Sequence, residues 1–209
     1  MKFAHARFVI ASGAAVAIWL LTLLTNGPEG GWDPAVLRWF LADHGSAIVR
    51  PASLLTELGG WKVLVPVGLV AFGILAVKRR RRAALLLFML FGGRLLVELQ
   101  KLLIDAPRPP DAAHLIAVES PGFPSAHSAN SMITFLAIAL LVPVIQRRRA
   151  MAVAIGATLA LLIGLSRLVL GVHWPSDVIG GWAFAFFWIA LCLRLASARP
   201  DPETAQQDR

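Results

Sequence analysis

Two arginines, a lysine, two histidines and an aspartate lie between positions 101 and 177, all at the edges of apolar stretches. They read Lys101-Leu-Leu-Ile-Asp-Ala-Pro-Arg108-Pro109, then Pro124-Ser125-Ala126-His127. Ser166-Arg167 follows, then five residues to His173 and three more to Asp177. An apolar chain has little use for such groups at segment ends unless together they hold an anion and act on it. His173 and Asp177 are a helical turn apart, a step that puts both side chains on one face. A carboxylate against an imidazole sets its tautomer and stabilises the imidazolium. The other ring nitrogen is then free to attack an electrophile. Lys101, Arg108 and Arg167 supply positive charge. Guanidinium groups match phosphate bidentately, while an ammonium acts as a point charge. Snorkelling toward headgroups accounts for Lys101 alone, not for arginines grouped with two histidines. Pro121, Gly122 and Pro124 mark a turn, and Pro124 suits the first position of a helix. The N–H groups that follow, Ala126's among them, lack a helical partner and carry the positive end of the dipole. A phosphate fits such a seat, and the Ser125 hydroxyl adds a donor.

The elements that must position these residues are spanning helices. Of 209 residues, 57% are hydrophobic and 15% charged, and mean hydropathy is +0.70. That is far more apolar than a soluble domain of this length requires. A span needs about 20 apolar residues. Six runs approach that length: 8–25, 61–77, 83–103, 129–145, 150–170 and 178–193. The first is read as an anchor rather than a cleaved signal, because it is long and no small-x-small site follows. Residues 26–60 are mixed. Asp33-Pro34 reads as a helix start with Asp33 as N-cap. Val36, Leu37, Phe40 and Leu41 share a face of that helix, which either lies in the membrane interface or covers the end of the bundle.

Net charge is +8, but its placement is a topology signal rather than a nucleic-acid groove. Lys2, Arg7, the 78–82 block, Arg147 to Arg149, Arg194 and Arg199 fall at segment ends on one side. That bias puts both termini in the cytoplasm and every residue of the first paragraph on the outer side. The expected fold is therefore all-α: one polytopic membrane domain over 1–195 with six transmembrane helices, an extracytoplasmic site, and a disordered cytoplasmic tail over 196–209. The single Cys192 makes no intrachain disulfide. No cluster of ligating residues calls for a metal or other cofactor. Arg94 and Glu98 lie one turn apart in the third run and read as an internal ion pair. His114 reads as a solvated loop residue.

The three motifs, in order and on one side, resemble the type 2 phosphatidic acid phosphatase superfamily, in its membrane lipid phosphatase branch. The resemblance covers 101–177 at motif level and the whole chain at topology level. It implies that His173 is the nucleophile forming a phosphohistidine, that Asp177 orients it, and that His127 protonates the leaving oxygen. It further implies that Lys101, Arg108, Ser125, Ala126 and Arg167 bind the substrate phosphate. The family usually has glycine where this chain has Ala126. A left-handed backbone there would be costly, so an altered pocket is expected.

The expected activity is hydrolysis of a lipid phosphate or diphosphate. A polyprenyl diphosphate such as undecaprenyl diphosphate is the favoured lipid, because a small six-span enzyme facing outward suits carrier recycling by analogy; phosphatidic acid, phosphatidylglycerol phosphate and lipid A phosphates stay open. Two other readings stay open. One is a phosphotransferase using the same phosphohistidine. The other is an anion transporter, where broken helices also aim N-termini at anions, although near the midplane rather than at one surface. The expected partners are the lipid substrate and the surrounding membrane. Oligomeric state is not legible in the sequence.

Overall fold

The computed structural model describes residues 2–197. The expected disordered tail lies outside the described residues from 198 onward. Among the described residues there is helix and no strand. Helix α1 is Lys2–Leu24, α2 Trp32–Phe40, α3 Val49–Glu57 and α4 Trp61–Ala76. Arg80–Ile104 forms α5, Ala126–Leu141 α6, Arg149–Val169 α7 and Pro175–Ser197 α8. Six of these, α1 and α4 to α8, fall on the six apolar runs, while α2 and α3 lie in the mixed stretch 26–60. Three of them, α5, α7 and α8, are each long and apolar enough to cross a membrane. A fourth crossing results if α3 and α4, bent by 40°, count as one. The apolar parts of α1 and α6 are shorter.

Helix α6 is the centre of the bundle. It packs against α7 and α8, and α1 lies along α8. Met132, Ile133, Leu136 and Ala137 of α6 meet Leu86, Met89, Ala160, Trp188 and Ile189 in one core. Close approach is possible because the contact is small. A Cβ on Gly181 of α8 would come within 2.8 Å of the Ser125 carbonyl at the start of α6. Outward side chains such as Ile10, Leu24, Val77, Leu102 and Leu103 are exposed apolar groups, too many for a water-facing surface.

Two local features shape the site end. In α5, residues Phe88–Gly92 form a π-turn. The Trp188 indole N–H donates to the Met89 carbonyl at 2.9 Å, so that carbonyl is satisfied where the regular ladder is broken. At its far end α5 stops at Asp105, the one described non-glycine residue with positive φ, at 46°. An aspartate tolerates this left-handed turn, which sends the chain back toward the bundle.

Several expectations are corrected. Asp33 is not the N-cap of its own helix. Gly31 holds that place, and Asp33 is fully buried with its carboxylate turned to the start of α8. Pro124 is not the first residue of α6. The Phe123–Pro124 peptide is cis, Ser125 is the N-cap, and Ala126 is the first helical residue. No ion pair joins Arg94 to Glu98 among the described residues. Arg94 instead lines a small cavity with Asn130 and Thr134. His114 is not solvated: its side chain is 11% exposed and sits 3.5 Å from Asp111. Of the apolar face on α2, Leu37 is buried with Leu168, Trp174 and Val178, while Trp39 is 89% exposed. That helix covers the end of the bundle.

Candidate active site

The site is assembled where four helices end or begin. Lys101 lies in the last turn of α5 and is buried. Its ammonium donates to the carbonyl of Pro121 and, at 3.4 Å, to that of Gly122. The loop that supplies these carbonyls is closed by the Gly122 N–H donating to Ala106 O at 2.8 Å.

Arg108 leaves the same loop and crosses the site. Its Nε donates to Ser120 O at 2.6 Å, Nη2 to Ser120 Oγ at 3.1 Å, and Nη1 to the Val172 carbonyl. Nη1 also lies 3.1 Å from His173 Nε2. Burial pushes the Arg108 pKa down, opposed by the negative charge of Asp177.

His173 sits in the short loop between α7 and α8 and is 1% exposed. Its Nδ1 is 3.0 Å from Asp177 Oδ2 in the first turn of α8. Which nitrogen holds the proton follows from the partners. A guanidinium can only donate, so the Nε2 facing Arg108 is the acceptor. Nδ1 therefore carries the proton and donates it to Asp177. Burial, then the positive charges of Arg108, Arg167 and Lys101, hold the pKa of His173 well below the usual imidazole value. The ring is neutral, with an in-plane lone pair on Nε2, the form a nucleophile needs.

The start of α6 contributes three predicted residues. Ser125 is buried, its N–H donates to the Asp177 carbonyl at 2.9 Å, and its Oγ accepts from Ser128 N–H at 3.5 Å. Its hydroxyl oxygen thus works as a cap. Ala126 is helical, so the feared left-handed strain does not arise, and its methyl group packs on the main core. His127 is half-buried, and the charges of Arg167, Arg108 and Lys101 reach it. Gly59 leaves room for this ring: a Cβ there would meet His127 Cδ2 at 3.1 Å and Ile163 Cγ2 at 2.5 Å.

Arg167 is buried in the last turn of α7. Nη1 donates to Thr56 Oγ1 of α3 at 2.8 Å, while Nε is buried and has no hydrogen-bond partner. A buried guanidinium N–H without an acceptor is costly, and an oxyanion beside it removes the cost. Among the described residues, no three His, Cys, Asp or Glu side chains form a group able to hold a metal ion.

The eight candidate site residues, Lys101, Arg108, Ser125, Ala126, His127, Arg167, His173 and Asp177, thus gather at one end of the bundle. Four others join them. Thr56 holds Arg167, and Ser120 holds Arg108. Asn26 donates from Nδ2 to Asp177 Oδ1 and to Ser176 Oγ, each at 2.7 Å. Asp33 accepts from the Ser176 N–H at 2.8 Å and from its hydroxyl. Asn26 and Asp33 are more than 140 residues from their partners, beyond any local spacing rule. The only available signal was a lone polar residue at the end of an apolar run and an aspartate just inside a helix start.

A family model described as PAP2 superfamily matches residues 82–201. Phosphatidylglycerophosphatase B of Bacillus subtilis is 34% identical over 134 residues, 62% of this chain and 66% of that protein. Decaprenylphosphoryl-5-phosphoribose phosphatase of Mycobacterium tuberculosis is 34% identical over 155 residues, 68% of this chain and 80% of that protein. The crystal structure of a transmembrane PAP2 type phosphatidylglycerolphosphate phosphatase from Bacillus subtilis superposes with a TM-score of 0.81. It covers 90% of this chain and 97% of that one at 24% identity, and so shares the fold.

Proposed function

The chain belongs to the PAP2 superfamily, and on that footing we propose that it is an integral membrane phosphatase acting on a lipid phosphate or diphosphate through a phosphohistidine at His173. The observation that carries this reading is His173 itself. Its Nδ1 faces Asp177, its Nε2 lone pair faces a cation, and Arg167 beside it has a buried donor unfilled.

A phosphate that enters takes the Arg108 guanidinium from the imidazole and accepts from Arg167, Lys101 and the first N–H groups of α6. The Nε2 lone pair then attacks phosphorus and the P–O bond to the lipid breaks. His127 gives its proton to the leaving oxygen. The imidazolium formed on His173 is stabilised by Asp177. Water next attacks the phosphohistidine, His127 takes up its proton, and inorganic phosphate leaves with the pair of electrons returning to Nε2. Three fixed cations at the transferring group do the work of charge stabilisation.

The membrane arrangement we propose has six spans, with α3 and α4 counted as one, and both termini in the cytoplasm. The support is the cationic block at 78–82 and at 147–149 on the end of the bundle away from the site. The substrate is then a lipid of the outer leaflet of the cell membrane. The relatives named above are a phosphatidylglycerophosphatase and a decaprenylphosphoryl-5-phosphoribose phosphatase, and each of those lipids carries a terminal phosphate monoester beside its phosphodiester. This favours a lipid phosphate monoester over the polyprenyl diphosphate that a small outward-facing bundle suggests.

The test is phosphate release by purified protein in detergent from phosphatidylglycerol phosphate, phosphatidic acid, a polyprenyl diphosphate and lipid A, with acid-labile protein phosphate trapped in parallel. His173→Ala should lose both turnover and protein-bound phosphate while remaining folded. Normal turnover in folded His173→Ala would sink the mechanism. Transfer of the label to another lipid instead of water would make the protein a phosphotransferase.

A further inference from the structure

Asp177 has three donors. Two of them, His173 Nδ1–H at 3.0 Å and Trp174 N–H at 2.9 Å, belong to its own loop and share one oxygen, Oδ2. The third is Asn26 Nδ2–H at 2.7 Å, and among the described residues it alone bonds Oδ1. Without it the carboxylate is held at one oxygen only and can turn about its own bond. Whether His173 is aimed at substrate therefore depends on a residue 151 positions away in sequence.

Asn26 is itself oriented. Its amide could face Asp177 with either end, and the neighbours decide which. Asp33 is fully buried, with no cation against its carboxylate among the described residues. It accepts from Gly27 N–H at 2.9 Å, from Ser176 N–H at 2.8 Å and from the Ser176 hydroxyl. A carboxylate can only accept, so the Ser176 proton points to Asp33 and the Ser176 lone pair points to Asn26. Asn26 must answer with its N–H2 group, whose second proton then reaches Asp177. The chain of donors runs one way: from Asn26 to Ser176 to Asp33 on one side, and from Asn26 to Asp177 on the other. A buried carboxylate with no cation is expensive. Burial raises the pKa of Asp33, and the bonds from Ser176 and Gly27 counter this. Asp33 also caps the N-terminus of α8 from another helix, where the dipole favours its charge.

We infer that Asn26, on the connection between α1 and α2, and Asp33, in the first turn of α2, both outside residues 82–201, are positioning residues that fix the Asp177 carboxylate and through it the nucleophile. This rests on the phosphatase reading. The simpler account is that the three residues merely tie α1, α2 and α8 together. The two differ in what a substitution does to turnover when Asp177 is absent.

The experiment uses full-length protein in detergent with p-nitrophenyl phosphate and a short-chain phosphatidic acid as probes. Asn26→Leu, similar in size, should lower kcat about 10- to 100-fold, the scale known for losing the residue that orients a metal-bound histidine or carboxylate, with KM within about twofold of wild type. In an Asp177→Ala background the same substitution should change the residual rate less than about twofold, since sites that act through one group do not add. Thr25→Ala, whose hydroxyl only turns back to Leu21 O, is the control and should keep wild-type turnover. If Asn26→Leu does not fold, Asp33→Asn carries the test with the same kcat loss and the same dependence on Asp177.

A second readout needs no substrate. Histidine NMR of ¹⁵N-labelled protein should show the His173 Nδ1 proton, low-field in wild type because a carboxylate accepts it, moving upfield in Asn26→Leu. Unchanged kcat in a folded variant, an equal loss with and without Asp177, or an unmoved Nδ1 proton overturns the inference. A wild-type protein that turns over none of the lipid phosphates would instead refute the phosphatase reading, and the NMR result would still decide the role of Asn26.

Discussion

Asp177→Asn keeps the shape of the side chain and removes its charge. An amide offers one oxygen where the carboxylate offered two. Turned toward His173 and Trp174, that oxygen satisfies both donors now on Oδ2, and the N–H2 group meets the N–H2 of Asn26, donor against donor. Turned the other way, the N–H2 would face two donors at once. The first arrangement wins, so His173 keeps its tautomer. In a serine-protease triad the equivalent change costs about 10⁴ in kcat because the wrong tautomer is held. Here the Trp174 N–H opposes that outcome. What remains lost is the extra strength of a hydrogen bond to a charged acceptor over a neutral one, about 1–1.5 kcal/mol. At about 1.36 kcal/mol per tenfold in rate, kcat should fall about 5- to 13-fold. Asp177→Ala removes the acceptor and the tautomer control together, and should approach the 10⁴ scale. The assay is p-nitrophenyl phosphate turnover by both purified variants, with thermal unfolding measured to confirm that each is folded. Equal losses for Asp177→Asn and Asp177→Ala would refute the role given to Trp174. No loss in either would remove Asp177 from the mechanism.

His127→Ala should lose about 10²–10⁴-fold on an alkyl lipid phosphate and far less on an aryl phosphate, whose leaving group needs no proton; an equal loss on both would make His127 a phosphate binder. Chelation with EDTA should leave turnover intact, and loss restored by a divalent ion would reveal a metal site. Asp111→Cys, fully exposed at the site end, should react with an impermeant thiol reagent from outside intact cells, and Arg148→Cys only after permeabilisation, with buried Cys192 silent; the reverse pattern would place the site in the cytoplasm. Gly59→Ala should cost about 1–3 kcal/mol of stability or displace His127, the range for overpacking, so a variant with wild-type unfolding and turnover would show that the contact with Ile163 is relieved at no cost.

The helical bundle was legible because lipid leaves a helix few alternatives: each of the six apolar runs became a helix, and their ends moved by only a few residues. The contact between His173 and Asp177 was legible because a spacing of four is a local rule, and the first turn of α8 obeys it. Residues 26–60 were not. Asp33 followed by Pro34 carries the marks of an N-cap, yet a carboxylate that close to the start of α8 finds stronger donors there than in its own helix. Thr56 gives no pattern at all, since its partner Arg167 is 111 residues away. The Arg94–Glu98 pairing failed for a related reason. A shared helix face brings two charges near one another, but a neighbouring cavity with polar groups on α6 competes for the arginine. His114 reads as a loop residue in water because it stands in a polar connection between two apolar runs. The backbone bond from Leu115 N–H to Leu170 O at 3.0 Å instead pins that loop to the bundle.

The partners chosen for the three cations bear on function more directly than their positions do. Lys101 is met by two carbonyls, Arg108 by carbonyls and a serine, and Arg167 by a threonine at one nitrogen only, its Nε being left without an acceptor. All of these acceptors are neutral. They orient a cation and replace its lost water, but they leave its charge uncancelled. A carboxylate in the same places would hold the cations more firmly and would compete with phosphate for them. The one carboxylate at the centre, Asp177, is already occupied by His173, Trp174 and Asn26. Three largely buried positive charges held by neutral acceptors are unfavourable in the empty protein. Under the phosphatase function proposed above, that cost would be relieved when a phosphate arrives, and relieved further as negative charge spreads over its oxygens in the transition state. Stability given up at the empty site thus becomes affinity for the group that reacts, which is why a net positive site built this way suits phosphoryl transfer better than it suits a structural junction of helix ends.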